Sequence, residues 1–232
     1  MKNSAARPEH VPVLTISFAN ALSQEEIPYF RGAIIKAVGA EDSLLFHNHE
    51  GEKVRYAYPL IQYKRIGGRA AIVCIGDGTA AVGKFFSSCN FDVQVGKRPV
   101  KLEIESVKAD KTLVQVWDDM FAYRIHKWLP LNQEHYEVFQ QKESLAEKYA
   151  FLESILTGNI LSFGKGVGVT FDKQIVCKIT DVLNQRLLTY KGVKMMAFDV
   201  EFKSNVSLPD FVGLGKGVSL GMGSVVKKNE NN

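Results

Sequence analysis

Two apolar runs on either side of the pair Gly67-Gly68 constrain the fold of this chain more than any other feature. Residues 56–63 before the pair and residues 69–75 after it are rich in aromatic, β-branched or other apolar side chains, as strands are. A two-residue glycine turn joins antiparallel strands, because both of its central positions favour a positive φ. The sequence therefore predicts a β-hairpin within its first half.

The segments around this hairpin predict a β-α-β-β-α-β order, which is the ferredoxin-like arrangement. Ser23 and Glu26 have the three-residue spacing of a capping box, so they mark the start of a helix, and Gly39 marks its end. We place this N-terminal domain at residues 1–97. Its predicted elements are a strand at 11–19, a helix from about Ser23 to Val38, the hairpin, a helix at 79–88 and a last strand at 91–95.

Residues 98–232 predict a second α+β unit, and no low-complexity linker separates it from the first. A long amphipathic helix should run from about Asn132 to Leu156, because apolar side chains recur there at three- and four-residue spacings, and Gly158 should end it. Strands are predicted at 100–108, 112–117, 123–129, 176–183 and 194–206.

Composition limits the compartment and the partners. Apolar residues make up 46% of the chain, as in a folded globular protein, and the three cysteines lie far apart, which favours reduced thiols over disulfides. The sequence contains no apolar run near the roughly 20 residues that cross a bilayer, so we expect a cytoplasmic protein without membrane contact. The net charge of +4 permits nucleic-acid binding without requiring it.

A glycine-rich loop near the C-terminus offers a backbone that a ligand can approach. Five glycines fall within the eleven residues 213–223, around Lys216. Exposed amides in such a loop can bind phosphate, with the lysine adding charge, but Gly217 follows the lysine where a P-loop needs Ser or Thr. A tight packing turn explains the glycines equally well. The five are Gly213, Gly215, Gly217, Gly221 and Gly223.

His47 and His49 form the sharpest chemical motif. Residues two apart on an extended segment face the same side, and imidazoles titrate near neutral pH, so the pair can act as general base and general acid on one phosphodiester. An H-x-H pair is also a metal-ligand spacing, although only Glu50 and Glu52 lie near as further ligands. Two solvated histidines in a polar turn are the third interpretation.

Several segments together resemble a known family: Arg31-Gly32-Ala33, Phe46-His47-Asn48-His49, the run Arg55–Lys64 and the terminal glycine-rich loop. They are similar to the CRISPR-associated repeat-RNA-processing endoribonucleases, in the b-type branch of the Cas-six family. The resemblance implies an α+β fold of two tandem ferredoxin-like (RRM-like) domains, at 1–97 and 98–232. It also implies cleavage of the precursor CRISPR transcript within its repeats, with no metal and no cofactor.

The resemblance implies roles for the motif residues as well. His47 and His49, with Tyr56 nearby, would cleave the RNA, and the five loop glycines with Lys216 would bind it. Attack by the 2′-OH would leave a 2′,3′-cyclic phosphate and a 5′-OH. The alternative is a module that binds repeat RNA without cleaving it. A homodimer and an association with other CRISPR effector-complex proteins are both left open.

Overall fold

The computed structural model describes residues 9–38, 49–50, 53–54, 58–88 and 91–228. These residues form two compact units. The N-terminal unit consists of Val11–Thr112 together with Ser219–Gly221, and the C-terminal unit is built around Leu113–Val218. No helix within the described residues is long and apolar enough to cross a membrane.

The N-terminal unit contains a four-stranded sheet in the order β4-β5-β1-β8. Taken in chain order, this is second, third, first and fourth strand, the order of a ferredoxin-like fold. Its elements are β1 (Glu9–Ala21), α1 (Ile27–Val38), β2 (His49–Glu50), β3 (Lys53–Val54), β4 (Ile61–Ile66), β5 (Arg69–Ile75), α2 (Ala81–Ser88), β6 (Asp92–Val95), β7 (Arg98–Lys101) and β8 (Ile104–Val114).

The predicted hairpin and first helix are confirmed. Ile66 pairs with Arg69 across the turn, and both intervening glycines have positive φ. The Ser23 amide donates to Glu26 Oε2 at 2.9 Å, and this hydrogen bond, with help from Arg98, lowers the pKa of Glu26. Helix α1 then packs its apolar face against the sheet, where its buried side chains join one core: Ile27, Phe30, Ala33, Ile34 and Val38.

The last strand of this unit lies later in the chain than predicted. The strand expected at 91–95 is β6, which pairs with β7 in a separate two-stranded ribbon. The outer position beside β1 is instead occupied by β8. The N-terminal unit consequently extends to Thr112 rather than to residue 97, because residues 98–112 supply β7 and most of β8.

The C-terminal unit repeats the same strand order, β10-β11-β9-β12. It is again the ferredoxin-like order, but the chain between β11 and β12 is the glycine-rich loop with one short 3-10 turn instead of a second helix. The elements are β9 (Val116–Trp128), α3 (Gln133–Gln140), α4 (Leu145–Gly166), β10 (Cys177–Tyr190), β11 (Val193–Val206) and β12 (Ser224–Lys227).

The single long helix predicted here is wrong in two respects. Helix α3 ends at Gln140, and Ser144 begins α4 with a complete capping box in which it exchanges hydrogen bonds with Glu147. Helix α4 also continues past Gly158, since interior glycine only weakens a helix, and it ends at Gly166.

Candidate functional site

The structure describes one of the three predicted catalytic residues, and only its backbone. His49 is the first residue of β2 and pairs with Val54 in antiparallel register, so its backbone is extended. His47 and Tyr56 lie outside the described residues. No three His, Cys, Asp or Glu side chains within the described ranges are grouped as metal ligands are. The catalytic assignments stay predictions.

The glycine-rich loop is packed into the protein over most of its length. Val212 and Leu214 have no exposed surface, and Gly213 makes a β-bridge to Ser224. Between Phe211 and Ser224, all of which the structure describes, only Lys216 is exposed, and the other residues are buried or half-buried. The loop thus presents one charged side chain from a largely covered segment.

Two of the loop glycines have an internal packing role. A Cβ on Gly213 would collide with Val218, and a Cβ on Gly223 would collide with the backbone of Leu214. The Gly223 amide already donates to the Lys127 carbonyl at 3.1 Å, so it is not free to bind phosphate. The packing interpretation of the loop therefore accounts for these two positions.

The two glycines beside Lys216 fix how that lysine is presented. Gly215 and Gly217 have φ values of +87° and +72°, which favour glycine. A Cβ on Gly215 would lie 3.0 Å from the Trp128 indole, and one on Gly217 would lie 3.0 Å from the Tyr190 ring. Because the backbone is packed tightly on both sides of Lys216, its exposed side chain projects from a defined position.

Gly221, the remaining predicted RNA-binding glycine, belongs to the N-terminal unit. A Cβ there would lie 3.1 Å from Ile27 and 3.3 Å from the Tyr63 carbonyl oxygen, and its neighbour Leu220 packs against the core around α1 and β4. The loop segment at this point serves as core packing.

A charged cluster on β9, β10 and β11 contains His126. Burial by itself raises the pKa of Asp199, but hydrogen bonds from Arg186 and from the Lys127 amide outweigh it, so that the pKa is lowered. His126 Nδ1 lies 4.0 Å from Asp199 Oδ1, and burial lowers the pKa of His126 although Asp199 opposes this. The cluster joins neighbouring strands of the C-terminal sheet.

Lys64 and Arg65 are neighbouring cations of β4, close to the hairpin turn. Lys64 is only 1% exposed, and burial lowers its pKa to about 7. Its Nζ has no hydrogen-bond partner within the described residues. Arg65 is exposed, and its Nε donates to the Leu22 carbonyl at 2.7 Å, which anchors the hairpin beside the start of α1.

Both units match models of one family. The Cas6b N-terminal domain matches residues 9–113, and the Cas6b C-terminal domain matches residues 115–228. The chain belongs to the Cas6b family. A crystal structure of Cas6b superposes with a TM-score of 0.86 at 27% identity, covering 95% of this chain and all of that one. The predicted family and its two ferredoxin-like domains are confirmed.

A second solved structure agrees with membership of the Cas6b family, and one curated protein is similar over half of the chain. A CRISPR RNA processing endoribonuclease of the Cas6b type has a TM-score of 0.72 at 25% identity, again over 95% of this chain and all of that structure. An uncharacterized protein of Methanocaldococcus jannaschii is 33% identical over 116 residues, which are 50% of this chain and 78% of that protein.

Proposed function

We propose that this Cas6b-family chain is an endoribonuclease that cuts CRISPR precursor RNA within its repeats without a metal ion. Membership of the family, shown by both domain models, carries the proposal. The related crystal structure named as a CRISPR RNA processing endoribonuclease supports the substrate class. His47 and His49 are the proposed acid–base pair, and Tyr56 is the proposed third catalytic residue.

The proposed reaction uses a nucleophile that RNA itself carries. One imidazole removes the proton of a 2′-OH, the 2′-oxygen attacks the adjacent phosphorus, and the bond from phosphorus to the 5′-oxygen breaks. The second imidazole, as an imidazolium, protonates the departing 5′-oxygen. The products are a 2′,3′-cyclic phosphate and a 5′-OH, and each positioned acid or base contributes about 10²- to 10⁴-fold in rate.

The spacing of the two histidines supports this chemistry, because side chains two residues apart on an extended chain point the same way. His49 itself pairs with Val54 and has an extended backbone. Lys216 supports RNA binding, because the packed glycines on either side fix an exposed positive charge. We therefore assign cleavage to the histidine pair and backbone binding to the segment around Lys216.

The test measures cleavage and binding of the host's labelled repeat RNA by purified full-length protein and its variants. His47→Ala and His49→Ala should each slow cleavage by about 10²-fold or more while the Kd changes little. Tyr56→Phe should reduce the rate with the same Kd. His126→Ala, which removes a histidine of the C-terminal unit, is the matched control and should cut normally.

Two further measurements examine the mechanism. Cleavage should continue in excess chelator and should stop when the nucleotide before the cut carries a 2′-deoxy sugar. Loss of activity in chelator that added metal restores would contradict metal independence. RNA that is bound but never cut would instead indicate a non-catalytic module, and normal cleavage by either histidine variant would refute the pair.

A further inference from the structure

A groove of about 530 Å³ lies within the C-terminal unit. Its walls are the start of α3, the end of the β10–β11 hairpin and Lys216 of the glycine-rich loop. Its volume is within the roughly 300–1,000 Å³ of small-ligand sites. Residues from three separate parts of the chain therefore form one concave surface.

The charge of this groove favours an anion. Lys191, Lys194 and Lys216 line it, and none of its lining residues in the described part of the chain is acidic. Three ammonium groups around one concave surface attract phosphate, and neutralising phosphates releases counterions. We therefore expect the ligand of this groove to carry negative charge.

The same groove exposes aromatic and apolar surface beside its lysines. Tyr136 on α3 is 37% exposed, and Leu187 and Val193 on the hairpin are 60% and 61% exposed. Tyr190 is more confined, since it packs against the small core near Met222 and lies under the Lys191 ammonium at 5.8 Å. Tyr136 is thus the ring available for stacking on a ligand.

The hairpin tip places a lysine where the backbone favours other residues. Lys191 and Gly192 form the two-residue turn between Tyr190 and Val193, with φ values of +50° and +79°. Asn and Gly tolerate a positive φ better than lysine does. Lysine at this position therefore adds charge at the mouth of the groove with no advantage for the turn.

We infer that this groove binds one unpaired nucleotide of the RNA, with its base stacked on Tyr136 and its flanking phosphates beside Lys191, Lys194 and Lys216. Unpaired bases present a flat face to aromatic side chains, whereas bases within a duplex do not. Single-stranded RNA alternates flat bases with anionic phosphates, and these match the aromatic, apolar and basic surfaces of the groove. The inference rests on the proposed RNA substrate but not on the histidine chemistry.

The test is binding of a short fluorescein-labelled single-stranded RNA of mixed sequence to the full chain, measured by anisotropy, with gels that verify intact RNA. Tyr136→Ala should raise the Kd by about 5- to 150-fold, the range for one base–aromatic stack. Tyr136→Phe keeps the ring and should bind within about 2-fold of wild type. A blunt duplex RNA should be bound equally by all three proteins.

The charge is tested with Lys191→Asn, because asparagine suits the turn while removing the ammonium. This variant should flatten the slope of log Kd against log salt concentration by about 0.7, as expected for one phosphate contact on a single strand. Lys173→Asn removes an exposed lysine of the same unit outside the groove and should leave the slope unchanged.

Wild-type binding by Tyr136→Ala would overturn the inference, as would equal effects of Lys191→Asn and Lys173→Asn. Weaker binding of the duplex by Tyr136→Ala would overturn the assignment to an unpaired nucleotide. These outcomes differ from failure of the proposed function, because His47→Ala or His49→Ala changes the cleavage rate and does not change the groove. If the protein binds RNA through Tyr136 but cuts no repeat RNA, the inference about the groove stands and the proposed cleavage is refuted.

Discussion

Replacing Lys64 with methionine should stabilise the protein, and the gain should depend on pH. Lys64 lies in β4 with 1% of its surface exposed, and its Nζ has no hydrogen-bond partner within the described ranges. Burial lowers its pKa to about 7, whereas a lysine in an unfolded chain has a pKa of about 10.4. Methionine fills a similar volume with no charge to desolvate.

The direction of this pH dependence follows from how many protons the folded and unfolded states bind. Between pH 7 and about 10.4 the folded lysine is neutral while the unfolded chain keeps its proton, so the free energy of unfolding of the wild type rises with pH. The slope approaches about 1.4 kcal/mol per pH unit and the whole window amounts to about 5 kcal/mol. The advantage of Lys64→Met should therefore be largest at or below pH 7 and should shrink as the pH approaches about 10.

Urea denaturation from about pH 6 to about pH 10 measures this difference, because effects common to both proteins cancel. Lys203→Met, at an exposed position on β11, is the control for replacing a lysine with methionine. If the wild type and Lys64→Met differ by a constant amount at every pH, the buried and unpaired state of this amine is refuted.

Two further predictions concern stability. Gly223→Ala should lower the free energy of unfolding by more than about 2 kcal/mol, because its φ is +62° and the new methyl would collide with Leu214. Gly192→Ala has a similar φ in open space, so it is the control that isolates the collision. Equal urea midpoints for the two variants would contradict this prediction. Ser144→Ala should lower the free energy of unfolding by about 1 kcal/mol, because it removes the cap of α4. Ser162→Ala, at an exposed interior position of that helix, should be nearly neutral. Equal melting temperatures for the two variants would show that the cap contributes nothing.

Sequence reasoning succeeded where neighbouring residues decide the structure. The Gly67-Gly68 turn and the Ser23–Glu26 cap depend on contacts within a few residues, so their pattern can be read directly from the chain. The cap at Ser144 and Glu147 has the same spacing, but the apolar positions on both sides suggested one continuous helix. A local signal was present and the longer pattern masked it.

Features that depend on distant residues could not be predicted in this way. Nothing in residues 91–95 indicates that β6 pairs with β7 instead of joining the main sheet, because strand order is a tertiary property. The end of α4 likewise depends on contacts formed by folding: the Val169 amide donates to the Gly164 carbonyl, and Phe171 packs where a side chain at Gly164 would be.

The candidate site shows the same division. The histidine pair and the glycine-rich loop are contiguous motifs, so sequence alone could nominate them. The groove combines Tyr136, Lys191 and Lys216, which are separated by 55 and 25 residues along the chain and meet only through folding. Tyr136 in particular lies within the predicted amphipathic helix, and only the structure shows that it is exposed.

The N-terminal unit takes three of its residues, Ser219–Gly221, from far along the chain. Leu220 packs against its core, more than a hundred residues after Thr112 closes the rest of that unit. At roughly 5 to 20 residues per second, a ribosome needs about 5 to 20 s to make the intervening segment. During that interval the nascent N-terminal unit lacks part of its packing, so its folding is completed only after residues 113–218 of the C-terminal unit have been synthesised.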